Sequence, residues 1–144
     1  MSITKTASAR WEGSIKEGKG TVSTESGVLK NTPYDFRQRF EGQAGSNPEE
    51  LIGAAHAGCY SMALSLILGE AGMEAKSIDT QATVTLAEDP EGGFQIPSIH
   101  LVTRVKIPGA DKAAFEDAAE KAKAGCPVSK LFNAEITLDA SLES

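Results

Sequence analysis

Two cysteines and two histidines in 144 residues leave little material for metal chemistry. A closed zinc site usually takes four such ligands, with Cys or His paired at short spacing, whereas Cys59 and Cys126 stand far apart in the chain. No metal centre is expected. Positive charge is also in short supply: 14 Lys and Arg against 20 Asp and Glu give a net charge of −6, which disfavours nonspecific attraction to nucleic acid or anionic lipid. Long apolar runs are missing too. The N-terminus reaches Trp11 and Glu12 through polar residues, and the most apolar stretch, Leu51 to Leu68, is interrupted by Gly53, His56, Ser61 and Ser65. A soluble, cytoplasmic protein is expected. With no internal repeat, low-complexity tract or linker in view, one domain over 1–144 is the simplest organisation. In a reducing cytoplasm a disulfide is more often transient, catalytic or sensing than structural, so the two cysteines carry the interest.

What is present reads as an α+β chain. The first forty residues suggest an antiparallel meander, with Gly13, Gly18, Gly20 and Gly27 where turns would fall and Ile15, Thr21 and Val22 between them. From Tyr34 to Phe40 alternation predicts a strand, with Tyr34, Phe36 and Phe40 on one face and Arg37 and Arg39 on the other. Asn47-Pro48-Glu49-Glu50 is a helix start: Asn47 the N-cap, Pro48 the first helical residue, Glu50 placed for a capping box. Leu51, Ala55, Cys59, Met62 and Leu66 then predict a buried stripe, with Gly69 or Gly72 ending the helix. Ile78 to Leu86 and Phe94 to Ile107 read as strands around the turn Glu88 to Gly93, and Pro97 suggests an edge or bulge. Asp111 can cap a second helix lined by Phe115, Ala118 and Ala122 and closed by Gly125. Cys126 and Pro127 then open a short third helix through Phe132, before a strand carrying Ile136, Leu138, Ala140 and Leu142.

Each candidate for chemistry has a plain reading beside the functional one. On pattern alone, Cys59 within an apolar helical stripe is an ordinary buried thiol. Cys126 at a helix start faces unpaired N–H groups, which favour thiolate over thiol, although a thiol that merely fills a turn fits as well. Glu49 suits a first helical turn, and Arg37 and Arg39 suit a solvated strand face. His56, three residues before Cys59, could serve as base or counter-ion, or simply pack in a core or interface.

Larger blocks of the sequence narrow these choices. WEGSIKEGKGTVSTESGVL from Trp11, FRQRFEG from Phe36, NPEELIGAAHAGCYSMALSLILGEAG from Asn47 and KAKAGCPVSK from Lys121 together resemble the OsmC branch of the OsmC/Ohr family of organic hydroperoxide reductases. The resemblance spans nearly the whole chain, and each of its last two blocks carries one cysteine. It implies an OsmC-like α+β fold, with antiparallel sheets, a long central helix and an intertwined homodimer with sites at the interface. It further implies that Cys59 is the peroxidatic cysteine and Cys126 the resolving one, with Arg39 and Glu49 as their polar partners. Arg37 matches no functional arginine. A lipoylated protein or another dithiol is the implied reductant, and no tightly held cofactor is implied.

On that basis a Cys59 thiolate attacks the distal oxygen of an organic hydroperoxide, and the sulfenic acid condenses with Cys126. Free cysteine titrates near about 8.5, so a guanidinium beside the sulfur is needed in an apolar niche. Arg39, oriented by a bidentate pair with Glu49, is the expected source, and Leu51, Ala55 and Met62 the expected apolar lining that favours alkyl substrates. If one straight helix runs from Asn47 to Gly72, Glu49 and Cys59 are separated by about 15 Å along its axis. Either the helix breaks near Gly53, or Arg39 and Glu49 reach Cys59 from a second subunit, which is the preferred arrangement. Two other functions compete: a redox sensor in which a Cys59–Cys126 disulfide alters a binding surface, and a non-catalytic stress protein that binds apolar ligands.

Overall fold

The N-terminal strands close around Gly20. In the computed structural model, which describes residues 1–143, β1 (Ala7–Glu12), β2 (Lys19–Thr24) and β3 (Thr32–Tyr34) form an antiparallel sheet in that order. Gly20 lies opposite Trp11 on one side and Tyr34 on the other, and a Cβ there would stand 2.6 Å from both rings. Only glycine leaves room for the two aromatics, whose centroids are 5.5 Å apart. Gly20 thus belongs to a strand, not to the turn expected of it, whereas Gly13 and Gly27 do sit at turns with positive φ.

The strand expected over Tyr34 to Phe40 stops at Tyr34. Asp35 caps a short helix, α1 (Phe36–Phe40), its Oδ1 accepting a hydrogen bond from the Gln38 amide at 3.0 Å. Phe36 and Phe40 share a face at a spacing of four as readily as at a spacing of two, and their rings meet at 4.9 Å. That ambiguity misled the alternation, and the Asp35 cap decides it.

A longer helix, α2 (Pro48–Glu70), starts at the predicted place. Asn47 Oδ1 accepts from the Glu50 amide at 2.8 Å, and Glu50 returns a bond by accepting from the Asn47 side-chain amide at 3.0 Å, not from its backbone. Gly72, at φ +79°, ends it: the Met73 amide donates to the Leu68 carbonyl at 2.8 Å and the Gly72 amide to that of Gly69 at 3.0 Å. Residues Met1–Leu51 make up one compact unit and those from Ile52 onward a second.

The second unit is built on the inner face of α2, and this face is not the predicted one. Gly53, His56, Tyr60, Leu64 and Leu68 are the buried residues, whereas Met62 and Leu66 are 78% and 64% exposed and Cys59 is half-buried at the margin. Residues 51 to 68 are apolar nearly all round, so periodicity could not choose the inward face. Against it pack β5 (Phe94–Lys106) and α3 (Lys112–Gly125), through Ile99, Leu101, Val105, Phe115, Ala118 and Ala122. β5 pairs antiparallel with β4 (Ser77–Glu88), and the ladder breaks between Thr85 and Ala87. Pro97 falls in that break and ahead of the first residue paired to the last strand, so its missing N–H costs no ladder bond.

Asp111 caps α3 as expected, with Oδ2 accepting from the Ala114 amide at 2.9 Å. After α4 (Pro127–Leu131), β6 (Glu135–Glu143) pairs with β5 in parallel, so the second sheet is mixed where antiparallel sheets were expected. Two helices lie between β5 and β6 and supply the crossover that a parallel neighbour needs. Leu64, fully buried at the centre of this core, sets its stability: Leu64→Ala is expected to cost about 2–5 kcal/mol in urea unfolding.

Candidate active site

Two side-chain constellations stand out, one in each unit. In the second, Cys126 is both the C-cap of α3 and the residue before α4, with Pro127 at the first helical position. Its amide donates to the Ala122 carbonyl at 2.9 Å and its carbonyl accepts from the Lys130 amide at 3.1 Å, which pins the bend between the helices. The bend turns the Cys126 side chain into the core, where it is fully buried and its thiol donates to Cys59 Sγ at 2.9 Å. Both sulfurs are free thiols, and the fold brings them together from opposite ends of the unit's sequence.

The surroundings push the Cys59 thiol above its ordinary pKa. Burial is the largest cause, followed by the hydrogen bond from Cys126, while the backbone amide of Val128 opposes both and the charge of Cys126 adds a smaller upward push. Val128 escaped the sequence reading, because an apolar residue after a proline gives no hint that its N–H points at a sulfur. The amide at the start of α4 thus acts on Cys59, where sequence reasoning had directed that effect to Cys126. Tyr60, next to Cys59, is fully buried and donates its hydroxyl proton to the Ala119 carbonyl at 3.2 Å. Burial, then Glu120, then Cys126 raise its pKa, so it remains a neutral phenol.

His56 is fully buried on the inner face of α2. Its Nε2 pairs with Ser129 Oγ at 2.8 Å, the ring meets Phe132 edge-on at 5.7 Å, and Nδ1 is buried with no hydrogen-bond partner among the described residues. Its ring nitrogen is thus committed to Ser129, which sequence reasoning did not single out.

In the first unit, α1 carries Arg39 beside Glu49. Arg39 Nε and Nη2 both donate to Oε1 of Glu49, at 3.0 and 2.8 Å, so the fork closes on one oxygen instead of bridging both as expected. The guanidinium lies 5.4 Å from the centroid of the Phe40 ring and borders a cavity of about 220 Å³ walled by Trp11, Ile15, Tyr34, Phe36 and Phe40. Reading Tyr34, Phe36 and Phe40 as one face of a strand puts Arg39 on the opposite face and hides this wall, and no local pattern joins Trp11 and Ile15 to it. The expected lining of Leu51, Ala55 and Met62 is not formed within this chain, since Ala55 and Met62 are exposed and Leu51 only half-buried.

Fold and site together define an α+β protein with two reduced sulfurs in contact. The family model for OsmC-like proteins matches residues 40–141, a span that includes Glu49, Cys59 and Cys126. Peroxiredoxin OsmC of Escherichia coli is 60% identical over 144 residues, covering 100% of both chains. The organic hydroperoxide resistance protein OhrB of Bacillus subtilis is 30% identical over 125 residues, covering 86% of this chain and 89% of its own. An OsmC-like protein from Mycoplasma pneumoniae, solved by crystallography, superposes with a TM-score of 0.76 over 100% of both chains at 14% identity, a likeness of fold. The chain belongs to the OsmC-like family.

The buried imidazole yields a test in pH. Burial lowers the His56 pKa from its ordinary 6.5, so at acid pH the unfolded chain binds more protons than the folded one. Its contribution to stability is therefore complete above about pH 6.5 and is lost as pH falls through the folded value. Urea unfolding from about pH 8 to about pH 5 should show the wild type losing more stability than His56→Gln; parallel losses would contradict the buried neutral ring.

Proposed function

We propose that this chain is a thiol-dependent peroxidase that reduces organic hydroperoxides to alcohols in oxidative and osmotic stress defence, with Cys59 attacking and Cys126 resolving. The carrying observation is the 2.9 Å contact between the two thiols. The names of the relatives, a peroxiredoxin and an organic hydroperoxide resistance protein, support the same chemistry. The Cys59 thiolate attacks the distal oxygen of the O–O bond, the alkoxide leaves and takes up a proton, and sulfenic acid remains on sulfur. The Cys126 sulfur then attacks the sulfenic sulfur, water departs and a disulfide forms. A dithiol, for example on a lipoylated protein, reopens the bridge and returns both thiols. The whole chain, 1–144, acts as one OsmC-like domain, in the cytoplasm, where reducing power for that last step is available.

The upward push on the Cys59 pKa supports a need for a further positive charge, because the protonated thiol is a poor nucleophile. Arg39, held by Glu49, is the cation we assign to it, reaching Cys59 from a second subunit. Helix α2 is unbroken from Pro48 to Glu70, which favours that arrangement over a break near Gly53, because ten residues of helix amount to about 15 Å. The outward side of α2 carries Ala54, Ala55, Gly58, Met62 and Leu66 exposed, with no charge between Leu51 and Gly69. A homodimer covers such a face. The aromatic cavity beside Arg39 then receives the organic tail, which favours alkyl and aryl hydroperoxides over hydrogen peroxide.

One equivalent of cumene hydroperoxide is expected to convert the reduced protein to the Cys59–Cys126 disulfide, read by mass spectrometry. Cys126→Ser should stop at sulfenic acid and Cys59→Ser should not react. Sustained turnover with a dithiol separates an enzyme from a sensor, which would react once and stop. Arg39→Ala should slow Cys59 oxidation at neutral pH by about 10–100-fold, one decade per unit of lost pKa depression, and Glu49→Gln by less. In the Arg39 variant the rate should keep climbing into alkaline pH, and Met62→Glu should give a monomer with the same profile. A wild-type rate in the Arg39 variant at neutral pH would remove its assigned role.

A further inference from the structure

The inner face of α2 sends out two directional bonds, at His56 and at Tyr60, one helical turn apart. Tyr60 Oη reaches α3 at Ala119 and His56 Nε2 reaches α4 at Ser129, so the two bonds fall on either side of the bend that holds Cys126. Between them on α2 sits Cys59, whose sulfur meets Cys126. Beyond the Val128 amide, which bonds the Cys59 sulfur itself and so changes partner when that sulfur is oxidised, α4 has little else to fix its orientation. It is five residues long, contains no fully buried residue, and Cys126 makes no side-chain capping bond at its start. Val128 and the following Phe132 lean on the core, but apolar contact leaves a short helix free to turn about its own axis. A hydrogen bond to Ser129, two residues into that helix from Pro127, removes this freedom.

The imidazole also holds a buried Nδ1 with no hydrogen-bond partner among the described residues, a cost that an apolar residue would avoid. Packing alone gives no reason to keep it. We propose that the His56–Ser129 hydrogen bond is a latch that aims Cys126 at Cys59 for the resolving step, making His56 and Ser129 positioning residues of the disulfide-forming half of the cycle. The inference rests on the two-thiol cycle proposed above. In that half, the Cys126 sulfur forms a bond to the Cys59 sulfenic sulfur as the S–O bond breaks and water leaves. Its rate depends on how the attacking sulfur is aligned, and small displacements of a reacting atom are costly. When alignment is lost, the sulfenic acid survives long enough for a second hydroperoxide molecule to oxidise it to sulfinic acid, with release of a second alcohol.

The test is the partition of Cys59 between disulfide and sulfinic acid, measured by acid quench, alkylation and mass spectrometry over rising cumene hydroperoxide. Ser129→Ala removes the bond with almost no change in volume and should slow disulfide formation by about five- to tenfold, with sulfinic acid rising in proportion. Consumption of the Cys59 thiol should slow by much less. Ser129→Thr, which keeps the hydroxyl, should restore the wild-type partition; His56→Leu should behave like Ser129→Ala, and His56→Gln, whose amide can reach the same hydroxyl, like the wild type. A wild-type partition in both Ser129→Ala and His56→Leu overturns the latch, as does an equal slowing of both steps or a failure of Ser129→Thr to rescue. Failure of the wild type itself to form the Cys59–Cys126 disulfide would instead refute the cycle.

Discussion

The contact between two sulfurs depends on the bend between α3 and α4. Cys126 ends one helix and precedes another, with its amide bonded backward and its carbonyl forward, and its side chain turns inward from that bend. That direction leads into the core, to the margin of α2 where Cys59 is half-buried. Pro127 contributes by having no N–H to satisfy at the first position of α4. The rest of the second unit, from the mixed sheet to the alanine face of α3, holds this bend against α2.

Helix α2 carries different demands on its two sides. Inward, Tyr60, Leu64 and Leu68 make the core together with β5 and α3, and Tyr60 Oη and His56 Nε2 make directional bonds there. Outward, small and apolar side chains run for five turns without charge, and the helix is long and apolar enough to cross a membrane by length and composition. Its buried inner face is that of a core helix, and its outer face is the one that the proposed homodimer would cover. Cys59 falls on the seam between the two sides, which is where a residue must sit if it is to be reached from both.

Where the sequence announces structure through a local bond, it could be read directly. Asn47, Asp111, Gly72 and the Gly125-Cys126-Pro127 junction each fix a helix end by capping or by conformational permission, and all four lie where expected. Reading failed where two periods coincide or where no period exists. Phe36 and Phe40 satisfy strand and helix alike, and α2 is too uniformly apolar for its stripe to be phased. The parallel direction of β6 follows from the crossover through α3 and α4, a matter of topology that alternation cannot express. The site divides in the same way: both cysteines, Arg39 and Glu49 stood out through family motifs, whereas the Val128 amide and the Ser129 hydroxyl owe their importance to proximity alone.

The complete burial of Cys126 leaves the two sulfurs unequal before any external reagent. In the disulfide of the proposed cycle, an incoming dithiol would meet the half-buried residue 59 in preference to the buried residue 126, so the mixed disulfide would grow there and the interior sulfur would depart. On the proposed cycle the fold would give reduction a fixed polarity, with Cys59 the port for both oxidant and reductant and Cys126 kept in shelter.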